Sequence, residues 1–161
     1  MMKLASEVIQ RLESKTLATA ESCTGGMIGQ LLTAVAGASL VYKGGVISYT
    51  NAVKESVLGV SGETLSSYGA VSTEVAGEMA AGVRKLLKAD VAVSVTGLAG
   101  PGGDEFGNPV GTVFIGFDSE KHSEVKKFHF AGDRESVRLQ ATEEALKLVL
   151  KIECMYRDCK C

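Results

Sequence analysis

Apolar residues return along this chain at two spacings. Leu4, Val8, Ile9 and Leu12 fall on one helical face and predict an amphipathic helix over 2–14. Thr16–Ala20 is short and β-compatible and predicts the first strand. The run from Met27 to Val35 predicts a helix closed at Gly37. Leu40–Tyr49, rich in Val, Ile and Tyr, predicts a second strand, with Gly44-Gly45 marking a bulge or the close approach of another backbone. Short helices follow over Asn51–Leu58, closed by Gly59, and over Gly62–Ser67, opened by Ser61. Thr73 is the expected cap of a longer helix with Val75, Met79, Val83, Leu86 and Leu87 inward. Val91–Val95 is wholly small or β-branched, as in a central strand buried on both faces. Five of the eight residues from Thr96 to Gly103 are Gly or Pro, so that segment is a loop. Val110–Phe117 and Val125–Phe130 predict an antiparallel pair around Lys121-His122. Asp133 caps a last helix that turns Val137, Ala141, Ala145, Leu148, Val149 and Ile152 inward. The alternation predicts an α/β fold: helices sandwiching a mixed, mostly parallel sheet in one domain over 1–161.

Composition narrows the class. With 161 residues, 45% hydrophobic and 22% charged, the chain can bury the core of one globular domain. A net charge of -2 with no Lys/Arg block gives no expectation of nucleic acid or an anionic membrane as partner. The opening MMKLASEVIQRLESK carries charge throughout, unlike a signal peptide. No apolar run approaches the roughly 20 residues of a membrane span, so a cytoplasmic protein is expected. Of four cysteines, Cys154, Cys159 and Cys161 crowd the last eight residues. They lack a CxxC pair or a nearby His, so the expectation is a reduced, frayed tail over 153–161 and no metal.

The densest chemistry lies in Glu21-Ser22-Cys23-Thr24-Gly25-Gly26, between the first strand and its helix. A strand feeding a small-residue turn that opens a helix aims backbone N–H groups at one spot. Ser22 or Cys23 there would be a nucleophile beside donors for an oxyanion; alternatively Ser22 or Thr24 merely caps the helix and the glycines allow close packing. Ligands of open α/β sheets lie beyond the carboxyl ends of the strands. Tyr49-Thr50-Asn51 and the Thr96 loop occupy two more such ends, so Ser22, Tyr49 and Thr96 converge with Lys54, one turn into its helix. His122 and His129, the only histidines, belong to the hairpin, which leaves a lysine as the available base. A lysine acts so only where burial or nearby positive charge lowers its pKa. Arg134 and Arg138, at the start of the last helix, are alternative clamps for an anion.

AESCTGG, YKGGVISYTNAVKESVLGV, GAVSTEVAGEMAAGVRKLLKAD, VTGLAGPGG, NPVGTV and FAGDRESVR follow one another as in the CinA carboxyl-terminal domain family, which the chain resembles from about residue 4 to 150. The resemblance implies a three-layer α/β/α sandwich. It also implies hydrolysis of nicotinamide mononucleotide (NMN) to nicotinate mononucleotide and ammonia, without cofactor, in pyridine nucleotide recycling. Ser22 would be the nucleophile, Lys54 its base and Tyr49 a supporting hydroxyl. Thr24, Gly25, Gly26, Thr96, Gly97, Gly100, Gly102 and Arg134 would bind substrate. A homodimer is implied as well. The alternative is a non-catalytic nucleotide- or partner-binding module of this competence/damage-inducible family. Asp104-Glu105-Phe106-Gly107-Asn108 is acidic where the family carries a hydroxyl residue and a lysine. The molybdopterin-binding-like domain of many members has no counterpart in this sequence, which points to the stand-alone form.

Overall fold

A computed structural model describes residues 1–158, with side chains through Met155. Twelve elements follow one another: α1 (Met2–Arg11), β1 (Leu17–Glu21), α2 (Met27–Thr33), a 3-10 turn (Ala38–Leu40), β2 (Tyr42–Ile47), α3 (Asn51–Leu58), α4 (Gly62–Tyr68), α5 (Thr73–Leu87), β3 (Val91–Gly97), β4 (Thr112–Ser119), β5 (Ser123–His129) and α6 (Arg134–Asp158). The sheet order is β2-β1-β3-β4-β5. β1 pairs parallel with β2 and β3, and β4 antiparallel with β3 and β5. Four strands therefore point one way and β4 the other, which is the expected mixed, mostly parallel sheet.

Side-chain size sets the two faces. Leu17, Val91, Val93, Val95 and Ile115 meet α1, α2 and α6 in one core. Ala18, Ala20 and Ala92 turn to the other side, against Leu58, Leu65, Val75, Met79 and Val83 of α3–α5. Small residues there let α5 lie close: the buried Ser94 hydroxyl donates to the Ala76 carbonyl at 2.6 Å. A Cβ on Gly116 would sit 2.6 Å from that same oxygen. β3 is buried through Thr96, as its small, branched composition requires.

Several boundaries differ from the sequence reading. α1 stops at Arg11, and Leu40 lies in the 3-10 turn, 80% exposed, rather than in β2. The ladder skips a residue where Leu17 pairs with Tyr42 and Ala18 with Gly44, and a Cβ on Gly45 would collide with the Thr19 hydroxyl. The double glycine thus serves both bulge and close approach. Ser72, not Thr73, caps α5: it is the extended residue, and its hydroxyl accepts the Val75 N–H at 3.2 Å. Leu86 is exposed and Leu87 half-buried, because the inward stripe of α5 ends at Val83. The frayed tail expected from 153 is replaced by helix through Asp158; Ile152 and Glu153 are buried, and Glu153 takes Lys15 Nζ at 2.5 Å. Cys159 and Cys161, with Lys160, lie outside the described residues. Among the described residues no helix is long and apolar enough to cross a membrane.

Candidate active site

At the carboxyl ends of β1, β2 and β3 lies a cavity of about 280 Å³. Ser22, Cys23, Tyr49, Lys54, Thr96, Gly97, Gly100, Gly102 and Arg134 line it, so three of the expected strand ends do meet. Asn51, Leu98 and Ala99, from the two further strand ends, and Ala70 and Val71, for which the sequence carried no signal, complete the walls. The two helical layers both contribute. α3 supplies Lys54 from one side, while the turn into α2 supplies Ser22 from the other.

Lys54 is the largest fully buried side chain, 1% exposed. Thr50 caps α3 by accepting the Val53 N–H, which sets the helix register that points Lys54 inward. Its Nζ donates to the Ser48 carbonyl at 2.7 Å and lies 3.1 Å from Ser22 Oγ. Burial lowers its pKa from 10.5 to about 8, against a smaller opposing effect of Cys23. At neutral pH roughly a tenth of such a lysine is the free amine. A buried amine within hydrogen-bond reach of a buried hydroxyl can remove its proton.

Cys23 does not have the chemistry of a reactive thiol. Burial pushes its pKa to about 11, outweighing its own backbone N–H, Arg138 and Lys54, which pull it down. A lowered value needs a thiol facing the helix amides. Those amides are taken by Glu21 instead, the largest feature the sequence reading missed. The Glu21 carboxylate, 2% exposed, accepts the Thr24 hydroxyl at 2.7 Å and the N–H groups of Gly26, Ile28 and Gly29 at 3.0, 3.2 and 3.0 Å. It caps α2 from the end of the preceding strand, so neither Ser22 nor Thr24 does so. The visible signal was a carboxylate at a helix N-terminus, where the macrodipole favours negative charge.

The remaining candidates divide. Thr96 lines the cavity, but its hydroxyl donates to the Ala70 carbonyl at 2.7 Å and holds the wall together. Tyr49, 58% exposed, stands at the rim and accepts from Arg134 Nη2 at 2.8 Å rather than contacting Ser22. Arg134 also donates from Nη1 to the Gly100 carbonyl at 2.6 Å, which fixes it across the cavity mouth. Arg138 turns away from the cavity and donates from Nε to the Cys23 carbonyl at 2.9 Å and from Nη2 to the Thr24 carbonyl at 3.2 Å. Thr24, Gly25 and Gly26 shape the turn and are not among the lining residues. The acidic 104–108 loop folds on itself: Asp104 accepts the amides of Phe106 and Asn108, and Phe106 lies over Gly69. Its carboxylates do not line the cavity. A larger hollow, about 460 Å³, opens at the far end of the sheet. Its lining includes the ion pair of Lys15 with Glu153, and Arg84, whose partner Asp118 lies outside it; it has no counterpart of the amine–hydroxyl pair.

The CinA C-terminal domain model matches residues 1–152. The chain belongs to the CinA C-terminal domain family. Among relatives, the CinA-like protein of Thermotoga neapolitana is 47% identical over 148 residues, 90% of this chain and 36% of that protein. The CinA-like protein of Thermotoga maritima is 46% identical over a similar share. The chain thus spans about a third of the length of these curated relatives. Solved CinA-family structures superpose closely. The CinA superfamily protein of Klebsiella pneumoniae 700603 gives a TM-score of 0.93 at 35% identity, covering 96% of this chain and 98% of that one. The competence/damage inducible protein of Agrobacterium tumefaciens gives 0.90 at 37%, covering 93% of each.

Proposed function

We propose that this CinA domain is an amidohydrolase that converts nicotinamide mononucleotide to nicotinate mononucleotide and ammonia. The observation that carries the reading is the buried Lys54 Nζ, 3.1 Å from Ser22 Oγ at the floor of a cavity closed by Arg134. The free amine of Lys54 takes the Ser22 proton as Oγ attacks the carboxamide carbon. The resulting ammonium then protonates the departing nitrogen, and ammonia leaves. A nicotinoyl ester remains on Ser22. Lys54, neutral again, takes a proton from water, which attacks the ester; the proton returns to Ser22 and the acid is released. The Ser48 carbonyl keeps Lys54 in place through both halves. Arg134, exposed at the mouth, suits a phosphate through donors not used on Gly100 and Tyr49.

Ammonia release from NMN, with nicotinamide and its riboside in parallel, tests this reading. Wild type should turn over NMN, and Ser22→Ala should lose on the order of 10⁴-fold or more in kcat. Full activity in the variant removes Ser22. Absence of ammonia with wild type favours a non-catalytic binding module.

A further inference from the structure

The turn that carries Ser22 is held from both sides, and the pattern singles out particular backbone amides. Of the eight amides from Ser22 to Gly29, six have acceptors. Ser22 N–H donates to the Val95 carbonyl, Gly25 to Ser22 and Met27 to Thr24. Gly26, Ile28 and Gly29 donate to Glu21. The helix N-terminus is therefore filled by a carboxylate of the chain itself and offers nothing to a ligand. Among the described residues, the amides of Cys23 and Thr24 donate to no carbonyl or carboxylate; the Cys23 N–H lies against its own thiol, and Thr24 does not line the cavity. In a trans peptide the N–H points opposite to the preceding carbonyl. The Ser22 carbonyl is held by Gly25, which fixes the Cys23 N–H on the opposite side. The Cys23 carbonyl is held by Arg138 Nε, which does the same for the Thr24 N–H. The Thr24 carbonyl is held by Arg138 Nη2, which keeps Gly25 N–H turned back on Ser22.

We infer that Arg138 is a positioning residue: by holding the Cys23 and Thr24 carbonyls from α6 it braces the turn that carries Ser22 and keeps Oγ aligned with Lys54 Nζ. The inference rests on Ser22 being a nucleophile. Arg138 touches neither substrate nor the reacting atoms. It reaches the turn from α6, more than 110 residues later in the chain. A fork of two donors suits this task, because one plane of nitrogens spans two successive carbonyls. Glu21 holds the other side of the same turn by accepting the amides beyond.

The test uses the full chain as wild type, Arg138→Lys and Arg138→Gln, each checked by thermal unfolding. Two rates are read. One is NMN-dependent ammonia release. The other is stoichiometric labelling of Ser22 by an alkyl fluorophosphonate. There the Ser22 Oγ–P bond forms, the P–F bond breaks, fluoride leaves, the proton passes to Lys54, and the phosphoryl oxygen occupies the oxyanion position without any need for NMN. Arg138→Gln should lower kcat and labelling together, by about 10²-fold for misplacement of the nucleophile, with KM nearly unchanged. Arg138→Lys, able to hold one carbonyl, should fall between. Wild-type kcat and labelling in a folded Arg138→Gln overturn the inference, and so does an effect confined to KM, which would make Arg138 a substrate contact. If wild type labels at Ser22 but releases no ammonia, the NMN assignment fails while the labelling ratio still decides the role of Arg138. If wild type neither labels nor turns over, the nucleophile falls and the positioning role with it.

Discussion

Lys54 shows how a single residue can oppose stability and serve chemistry. A lysine with 1% exposure and no carboxylate partner in its surroundings carries a desolvation penalty as an ammonium, visible in the pKa of about 8 against 10.5. That difference corresponds to about 3 kcal/mol disfavouring the charged form in the folded state. Between pH about 8 and 10.5 the unfolded chain binds more protons at this lysine than the folded chain does. Its contribution to stability is therefore most unfavourable below that window and improves as pH rises through it. Lys54→Met keeps the length of the stem and removes the charge. After subtracting the lost hydrogen bond to Ser48, the variant should be roughly 1–2 kcal/mol more stable at pH 7, a few degrees in Tm. Its advantage should shrink towards pH 10, and its turnover should be gone. Unfolding of both proteins at pH 7 and pH 10, beside ammonia release, checks all three. Equal stability at both pH values would mean that Lys54 is solvated. The same residue also marks what the sequence could tell. The family motif named Lys54, but that its surroundings would be dry, with the Ser48 carbonyl as anchor, depended on contacts made only after folding.

At the scale of elements, legibility followed the range of the cause. β3 was readable because a strand covered on both faces must be small or branched throughout, and the Thr96 loop because glycine and proline exclude regular structure. The cap of α5 shifted by one residue because Ser72 and Thr73 offer the same hydroxyl, and only the backbone angles choose between them. Glu21 and Arg138 were missed as a pair because their partners are, respectively, amides of the next helix and carbonyls more than 110 residues earlier in the chain. Gly82 in α5 illustrates a constraint of the same long-range kind. Glycine inside a helix costs about 1 kcal/mol relative to alanine, so propensity alone favours Gly82→Ala. However, a Cβ there would collide with the Leu58 carbonyl oxygen and lie 3.0 Å from its carbon, at the end of α3. Backbone cannot swing aside as a flexible side chain would. Gly82→Ala should therefore destabilise by a net ~1–3 kcal/mol despite the better helix former. It should also lower kcat, because α3 displaced from α5 moves Lys54 away from Ser22. Chemical denaturation and steady-state kinetics on one preparation test both effects. A variant more stable than wild type would show that the two helices have room between them.

For the molecule as a whole, the sheet is a divider with the site at one of its ends. Ser22 stands on the turn braced by α6, Lys54 on α3 in the opposite layer, and Arg134 closes the mouth through Gly100 and Tyr49. A ligand in this cavity touches both layers and the loop after β3, so its binding energy opposes unfolding of the entire domain rather than of a local segment. Ser22→Ala turns that geometry into an assay, since on the proposed mechanism it would hold substrate without consuming it. With NMN at a hundred times its Kd, stabilisation should be about 2.7 kcal/mol. For a chain of this length that is a rise of roughly 5–10 °C in Tm. Arg134→Ala in the Ser22→Ala background should need more NMN for the same rise, because the phosphate would lose the Arg134 cation at the mouth. Nicotinamide, which lacks the phosphate, should respond equally to both proteins. A rise with NMN in Ser22→Ala together with no ammonia from wild type would indicate a nucleotide-binding module. No rise at millimolar NMN, with Ser22 still labelled by the fluorophosphonate, would keep the amine–hydroxyl pair and direct the search to a different amide or ester.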